Sequence, residues 1–233
     1  MEKDNIAFKQ RETYISTINH DLKIPTLAQI RALELLLSGN LGYLNNEQKE
    51  IISLTLESCK SMYGIIITIL ASYKYENKKI PLNLKSIELI NLLNTCFQNS
   101  YSEFKKKNIN FVFHNTSQEL NIPADENQLK KAFENLINFC FSSAYENTNF
   151  VCSIKKKSTK KLLISFLFEN PLFAKEKYEN LFNMYTTSAE KLDKVGSSLR
   201  LYLAKQIIDA HDGTISVENS KSQNICYVTL PCY

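Results

Sequence analysis

Glycine is what this chain most lacks. It has five in 233 residues, about 2% against a usual 7%. Loops that cradle phosphate with backbone N–H groups need a close approach that a Cβ blocks. The shortage therefore argues against a glycine-rich nucleotide loop. Gly39 and Gly42 share one turn-like stretch and Gly64 sits in a helical one, so Gly196 and Gly213 alone remain for the C-terminal half. Histidine is nearly as scarce, with three residues, too few for a histidine-rich centre; no metal site is expected. The six cysteines (Cys59, Cys96, Cys140, Cys152, Cys226, Cys232) form no Cys-x-x-Cys pair. Most sit among apolar neighbours and read as buried free thiols. The longest apolar run, residues 65–70, falls far short of the roughly 20 residues of a membrane span. No signal peptide is visible either. The expected setting is cytoplasmic, with no membrane within the chain. A net charge of +4 is too mild to imply a nucleic-acid partner. The lysine runs 105–107 and 155–157 read as solvated ends of elements.

What is present points to residues 14–27. Ile15, Ile18 and Leu22 recur at spacings of three and four, the seam of a coiled helix. On that register His20 falls on the outer face. Asp21 follows it, and Pro25 removes a helix hydrogen bond one turn later. An accessible imidazole beside a carboxylate is a candidate nucleophile.

Along the chain, residues 5–38 read as one long helix, with a kink near Pro25 and a seam resumed by Ile30, Leu33 and Leu37. Residues 38–43 are a turn. Asn45 and Gln48 form a capping box for a second helix running to about residue 75. Its Ile52, Leu56, Cys59, Tyr63, Ile66, Leu70 and Tyr73 keep a heptad register. Two amphipathic helices cannot close a core alone, so a homodimer whose hairpins make a four-helix bundle is expected. Residues 76–84 look like a linker. The spacing then predicts helices over 86–104, 125–144, 178–184 and 197–211. It predicts strands over 109–113, 150–154, 162–168, 214–218 and 225–230, with 156–161 as a turn. The expected class is α+β: residues 1–77 a helical hairpin, residues 78–233 an α/β sandwich.

Asn19-His20-Asp21-Leu22-Lys23-Ile24-Pro25-Thr26-Leu27 resembles the phosphoacceptor box of two-component histidine kinases. That pattern is Ser-His, an acid, Leu, a basic residue, any residue, Pro-Leu. The resemblance implies that His20 is phosphorylated on a ring nitrogen and that Asp21 orients and activates it through the other. Members that also dephosphorylate their partner usually carry Thr or Asn four residues after the histidine; Ile24 stands there. The rest of the chain is similar to the family's ATP-binding domain. Residues 123–137 look like the entry to its asparagine box, 179–185 like its Ile-Phe-Glu-x-Phe-Tyr segment, and 203–215 like its last helix, glycine turn and next strand.

The nucleotide chemistry departs from the family. Of the two asparagines of the Asn-Leu-x-x-Asn-Ala box, Asn135 matches the first, but Phe139 stands where the second holds magnesium; Asn138 comes one residue early. The Asp-x-Gly-x-Gly box, whose acid accepts the adenine amino group, is read as residues 168–172, with Glu169 as acid after a one-residue shift. The Gly-x-Gly-Leu-Gly-Leu box keeps only Gly196, at its first position. Asn135, Asn138 and Gly196 are the remaining candidates for nucleotide contact. The reading is a degenerate ATP site with no cofactor, as in dimeric histidine phosphotransferases. His20 would relay phosphate to the aspartate of a response-regulator receiver domain. Two alternatives are an active kinase using Mg·ATP and a non-catalytic dimeric interaction module.

Overall fold

The computed structural model describes residues 2–76, 81–115, 120–170, 181–183, 195–220 and 223–232. The chain divides into two compact units, Met1–Lys74 and Tyr75–Tyr233. The first holds α1 (Glu2–Leu37) and nearly all of α2 (Asn46–Glu76). The capping box forms: Asn45 N–H donates to Gln48 Oε1 at 3.0 Å, and Gln48 N–H to Asn45 Oδ1 at 2.8 Å. In the turn before it Gly39 and Gly42 take φ of 79° and 122°, a region that disfavours side chains. The helices are tied by Lys60 Nζ to Glu34 Oε1 at 2.7 Å.

The inner face of α1 is Thr26, Ile30, Leu33 and Leu37; Thr26 and Ile30 are buried. Leu22, placed on the seam by its spacing, is exposed instead. Eight residues at about 100° each set it some 80° round the helix from Ile30. On α2 the expected register is half-buried to buried throughout. A second apolar face of α2, with Ile51, Leu54 and Met62, is exposed. Two apolar faces make Asn46–Tyr73 long and apolar enough, by length and composition alone, to cross a membrane. A search for one unbroken run misses this because the apolar residues are spaced.

In the second unit a five-stranded sheet has the order β2 (Asn110–Asn115), β4 (Asn149–Ser158), β5 (Lys161–Glu169), β7 (Gln223–Pro231), β6 (Thr214–Ser220). β2 and β4 are parallel and the other pairs antiparallel. Buried residues alternate along β4, β5 and β7, so one face is dry. α3 (Leu89–Lys106), α4 (Glu126–Ser143) and α5 (Val195–Ala210) pack against the sheet and each other. An aromatic cluster fills the core. Phe97 of α3 sits with its ring centroid 3.9 Å from that of Phe111 and 6.2 Å from that of Phe166. Asp125 caps α4 as its spacing predicts, accepting Gln128 N–H at 3.1 Å.

Several expectations are corrected. The helix expected from residue 86 starts at Leu89, because Lys85–Glu88 form β1, antiparallel to β3 (Asn121–Ala124). Four-residue strands paired across more than thirty positions leave too little periodicity to read. The lysines at 155–157 continue β4, since the ladder to β5 extends beyond the buried core. Lys107 is engaged rather than free: its Nζ donates to the carbonyls of Phe141, Ser142 and Ala144 at 3.3, 3.0 and 3.1 Å. A cation suits a helix C-terminus because the last carbonyls lack partners. The helix expected over 178–184 lies largely outside the described residues.

Candidate functional site

α1 runs unbroken through Pro25. Proline has no N–H to give to the carbonyl of Asp21. One residue on, Thr26 Oγ1 donates to the carbonyl of Leu22 at 2.7 Å. The turn after His20 is thus held partly by side-chain bonding. His20 Nδ1 lies 3.5 Å from Asp21 Oδ1, with the two side chains 71% and 69% exposed. The imidazole is open to a large partner, and the carboxylate faces one of its nitrogens. A Nδ1–H pointed at Asp21 leaves Nε2 with the free lone pair. Ile24 is exposed on the next turn and offers no polar atom.

In the second unit, α4 carries Asn135 and Asn138. Asn138 Oδ1 accepts from Ser100 Oγ of α3 at 3.3 Å. That oxygen is therefore engaged between two helices, on a residue that is otherwise exposed. Asn135 is half-buried, one turn before Phe139, which is buried at 6% exposure. Asn138 and Phe139 differ by about 100° round the helix, so Asn138 does not take the place that Phe139 fills. Gly196 is the second residue of α5. Gly213 follows the end of α5. A Cβ there would sit 2.6 Å from the carbonyl oxygen of Thr229 and 2.8 Å from Ile208 Cγ2, so this glycine is required by packing.

The residue that sequence reasoning missed is Asn170. Along β5 the buried positions are Leu162, Ile164, Phe166 and Phe168, and Asn170 continues that phase one step past the strand. It is 1% exposed, and neither Oδ1 nor Nδ2 has a hydrogen-bond partner. Glu169 lies on the opposite face of the ladder, paired with Gln223. Counting back from Phe182 had placed the acid of the box at residue 168, or at Glu169 after a one-residue shift, and neither position carries a polar side chain into the buried row. The alternation Leu-x-Ile-x-Phe-x-Phe-x-Asn was the signal that would have found Asn170.

For Mg·ATP the fit divides. A buried amide with both polar atoms unpaired calls for a polar partner, which an ordered water or a ligand supplies. Magnesium needs oxygen ligands, and Phe139 has none to give. Among the described residues no group of three or more His, Cys, Asp and Glu side chains could hold a metal.

Residues 124–232 match the sequence profile of the family described as histidine kinase-, DNA gyrase B-, and HSP90-like ATPase. The chain is 24% identical over its whole length to an adaptive-response sensory kinase, SasA, of Crocosphaera subtropica, covering 63% of that protein. It is 25% identical to the sensor histidine kinase YvrG of Bacillus subtilis, over 94% of this chain and 38% of that one. The chain thus spans less than two-thirds of the length of such relatives. Full-length ShkA in complex with AMPPNP shares the fold at a TM-score of 0.78 and 17% identity, over 94% of this chain and 46% of that one. Histidine kinase ThkA, solved in complex with response regulator protein TrrA, shares it at 0.63 and 19%, over 99% of this chain and 64% of that one.

Proposed function

Because the chain carries the core of a two-component sensor histidine kinase with an ATPase-type domain, we propose that His20 relays phosphoryl groups to an aspartate of a response-regulator receiver. The observation that carries this is the exposed His20–Asp21 pair. The Nε2 lone pair attacks the phosphorus of a receiver's aspartyl phosphate. The acyl phosphate P–O bond breaks and leaves the receiver's carboxylate. Asp21 stabilises the positive imidazole through Nδ1–H. The reverse step delivers the group to a second receiver. Ile24 has no group to position a water, so His20 is not set up to assist hydrolysis.

The phosphoryl donor in this reading is another receiver, because Phe139 removes the oxygen ligand at the magnesium position of α4. ThkA is solved with a response regulator, which supports a receiver as the partner class. The proposal includes a homodimer, in which the exposed Ile51, Leu54 and Met62 face meets its copy, and a cytoplasmic setting. Asn135, Asn138 and Gly196 have no part in the transfer.

The test is incubation with receiver domains phosphorylated by a small acyl phosphate, followed by detection of acid-labile, alkali-stable phosphate on the chain. Label on the wild type and none on His20→Gln is the expected result. Label from Mg·ATP alone would establish the active kinase instead. No label from either source, with signalling intact in His20→Ala cells, would leave an interaction module.

A further inference from the structure

We propose that the free edge of β2 takes an added strand from another protein: an extended, acidic segment that carries one large apolar side chain. Among the described residues β2 has one neighbour, β4. Alternate residues of β2 therefore turn their backbone N–H and C=O groups away from the sheet. Proteins guard such edges with charge, proline or a bulge. Asn110–Asn115 contains no acid, lysine, arginine or proline, and its register with Asn149–Ile154 runs without a break. The opposite edge strand, β6, carries Glu218. β2 is thus an unguarded edge, the template that strand addition uses.

A pocket lies beside that edge. Its floor is Phe97 and Phe104 of α3 and Phe111 of β2; its rim is Asn94, Gln98 and Tyr101, all exposed on α3. Its volume is about 190 Å³. An apolar cavity of about 150 Å³ holds benzene, so one phenyl ring or one leucine side chain fits. Phe113 extends the aromatic wall, with its ring centroid 6.4 Å from that of Phe111, and both rings are only half-buried. A strand laid along β2 sends every second side chain toward this groove. No lining residue is charged, so the anchoring side chain is apolar.

The charge stands at the end of the edge. Past its last pairing with β2, Asn115 with Ile154, β4 runs on into the exposed Lys155, Lys156 and Lys157. The turn and the first residue of β5 add Lys160 and Lys161, also exposed. These five positive charges exceed the net charge of the whole chain, +4, so all the rest sums to −1. An added strand that outruns β2 meets these lysines, and acidic residues there are attracted. A second copy of this chain would offer its own uncharged β2 and leave the lysines unanswered. The proposal goes beyond the relay through His20 and does not depend on it.

The probe is a fluorescein-labelled nonapeptide, Asp-Asp-Val-Thr-Phe-Thr-Val-Asp-Asp, titrated with the full chain and followed by anisotropy. The expected result is saturable binding that weakens with salt, with amide hydrogen exchange slowed within residues 110–115. Gln98→Trp plugs the pocket from an exposed helical position, and the pair Lys155→Glu, Lys157→Glu removes the attraction. Each should weaken binding by about tenfold or more. Two further peptides are N-methylated at alternate residues, one in each phase; the phase that faces β2 should fail to bind. Three results would overturn the proposal: no saturable binding, equal binding of both methylated peptides, or unchanged affinity in the variants. Self-association of the chain that the peptide reverses would give the edge to a second copy and overturn it as well. None of these readouts involves phosphohistidine, so this proposal and the relay fail separately.

Discussion

The backbone N–H of Asp125 donates to Nε2 of His211 at 3.0 Å. His211 Nδ1 lies 2.8 Å from the carbonyl of Ile207, so Nδ1 carries the proton and Nε2 accepts. The ring is buried and neutral in this tautomer. Asp125 also accepts N–H groups from Gln128 and Asn83 at 3.1 and 3.0 Å. One histidine and one aspartate thus bind together the start of α4, the end of α5 and the chain entering the second unit.

His211→Phe keeps the bulk but leaves the Asp125 N–H buried without an acceptor. It should lower the unfolding free energy of the second unit by about 1–3 kcal/mol. Urea denaturation followed by far-UV dichroism measures this. An unchanged midpoint would mean that the bond contributes nothing.

Gly213→Ala places a methyl group 2.6 Å from the carbonyl oxygen of Thr229 and 2.9 Å from Leu230 Cδ2. The backbone atom cannot step aside, so α5 or β7 must shift. The expected loss is about 1–3 kcal/mol, read as a lower Tm. A Tm equal to the wild type would show that the turn adjusts freely.

Burial pushes the Cys96 thiol up to about 12 from its ordinary 9.0, with Glu134 adding to the shift. Burial also raises Cys140 and Cys152 well above that range. Above about pH 9 the unfolded chain ionises these thiols while the folded one keeps them protonated. Their contribution is whole below pH 9 and is lost as pH climbs toward 12. Stability should fall there by about 1.4 kcal/mol per pH unit for each such thiol. In native protein near pH 8, iodoacetamide should label the half-buried Cys59 and Cys232 well before the other four. Equal labelling of all six would contradict their burial.

Ile51 and Leu54 lie exposed on the outer face of α2. The double variant Ile51→Asp, Leu54→Asp should convert a two-chain particle to a single chain in size-exclusion chromatography with light scattering. A wild-type protein that already runs as one chain would remove the dimer from the proposed function.

The parts of the chain that could be read in advance are those governed by neighbours in sequence. The Asn45–Gln48 capping box and the Asp125 cap of α4 each depend on groups within four residues, and each forms where its spacing put it. The α+β class followed from a change of period after the hairpin. What could not be read depends on distant partners. β1 and β3 exist because residues 85–88 meet residues 121–124. The lysines after Ile154 stay extended because β5 runs beside them. Lys107 is held by carbonyls more than thirty positions away. Asn170 was passed over by counting back from Phe182, although strand alternation along β5 was a better ruler.

Among the described residues β7 is the last strand in sequence, yet it sits between β5 and β6 in the sheet. Every residue of β5 from Lys161 to Glu169 is paired with it. A ribosome makes the chain from the other end, so the helical hairpin emerges whole while β5 still lacks a neighbour on one side. That open strand edge must wait some sixty residues of synthesis for Gln223–Pro231, and waiting edges invite mispairing. In nascent chains, residues 75–233 should acquire protease resistance only at the close of translation.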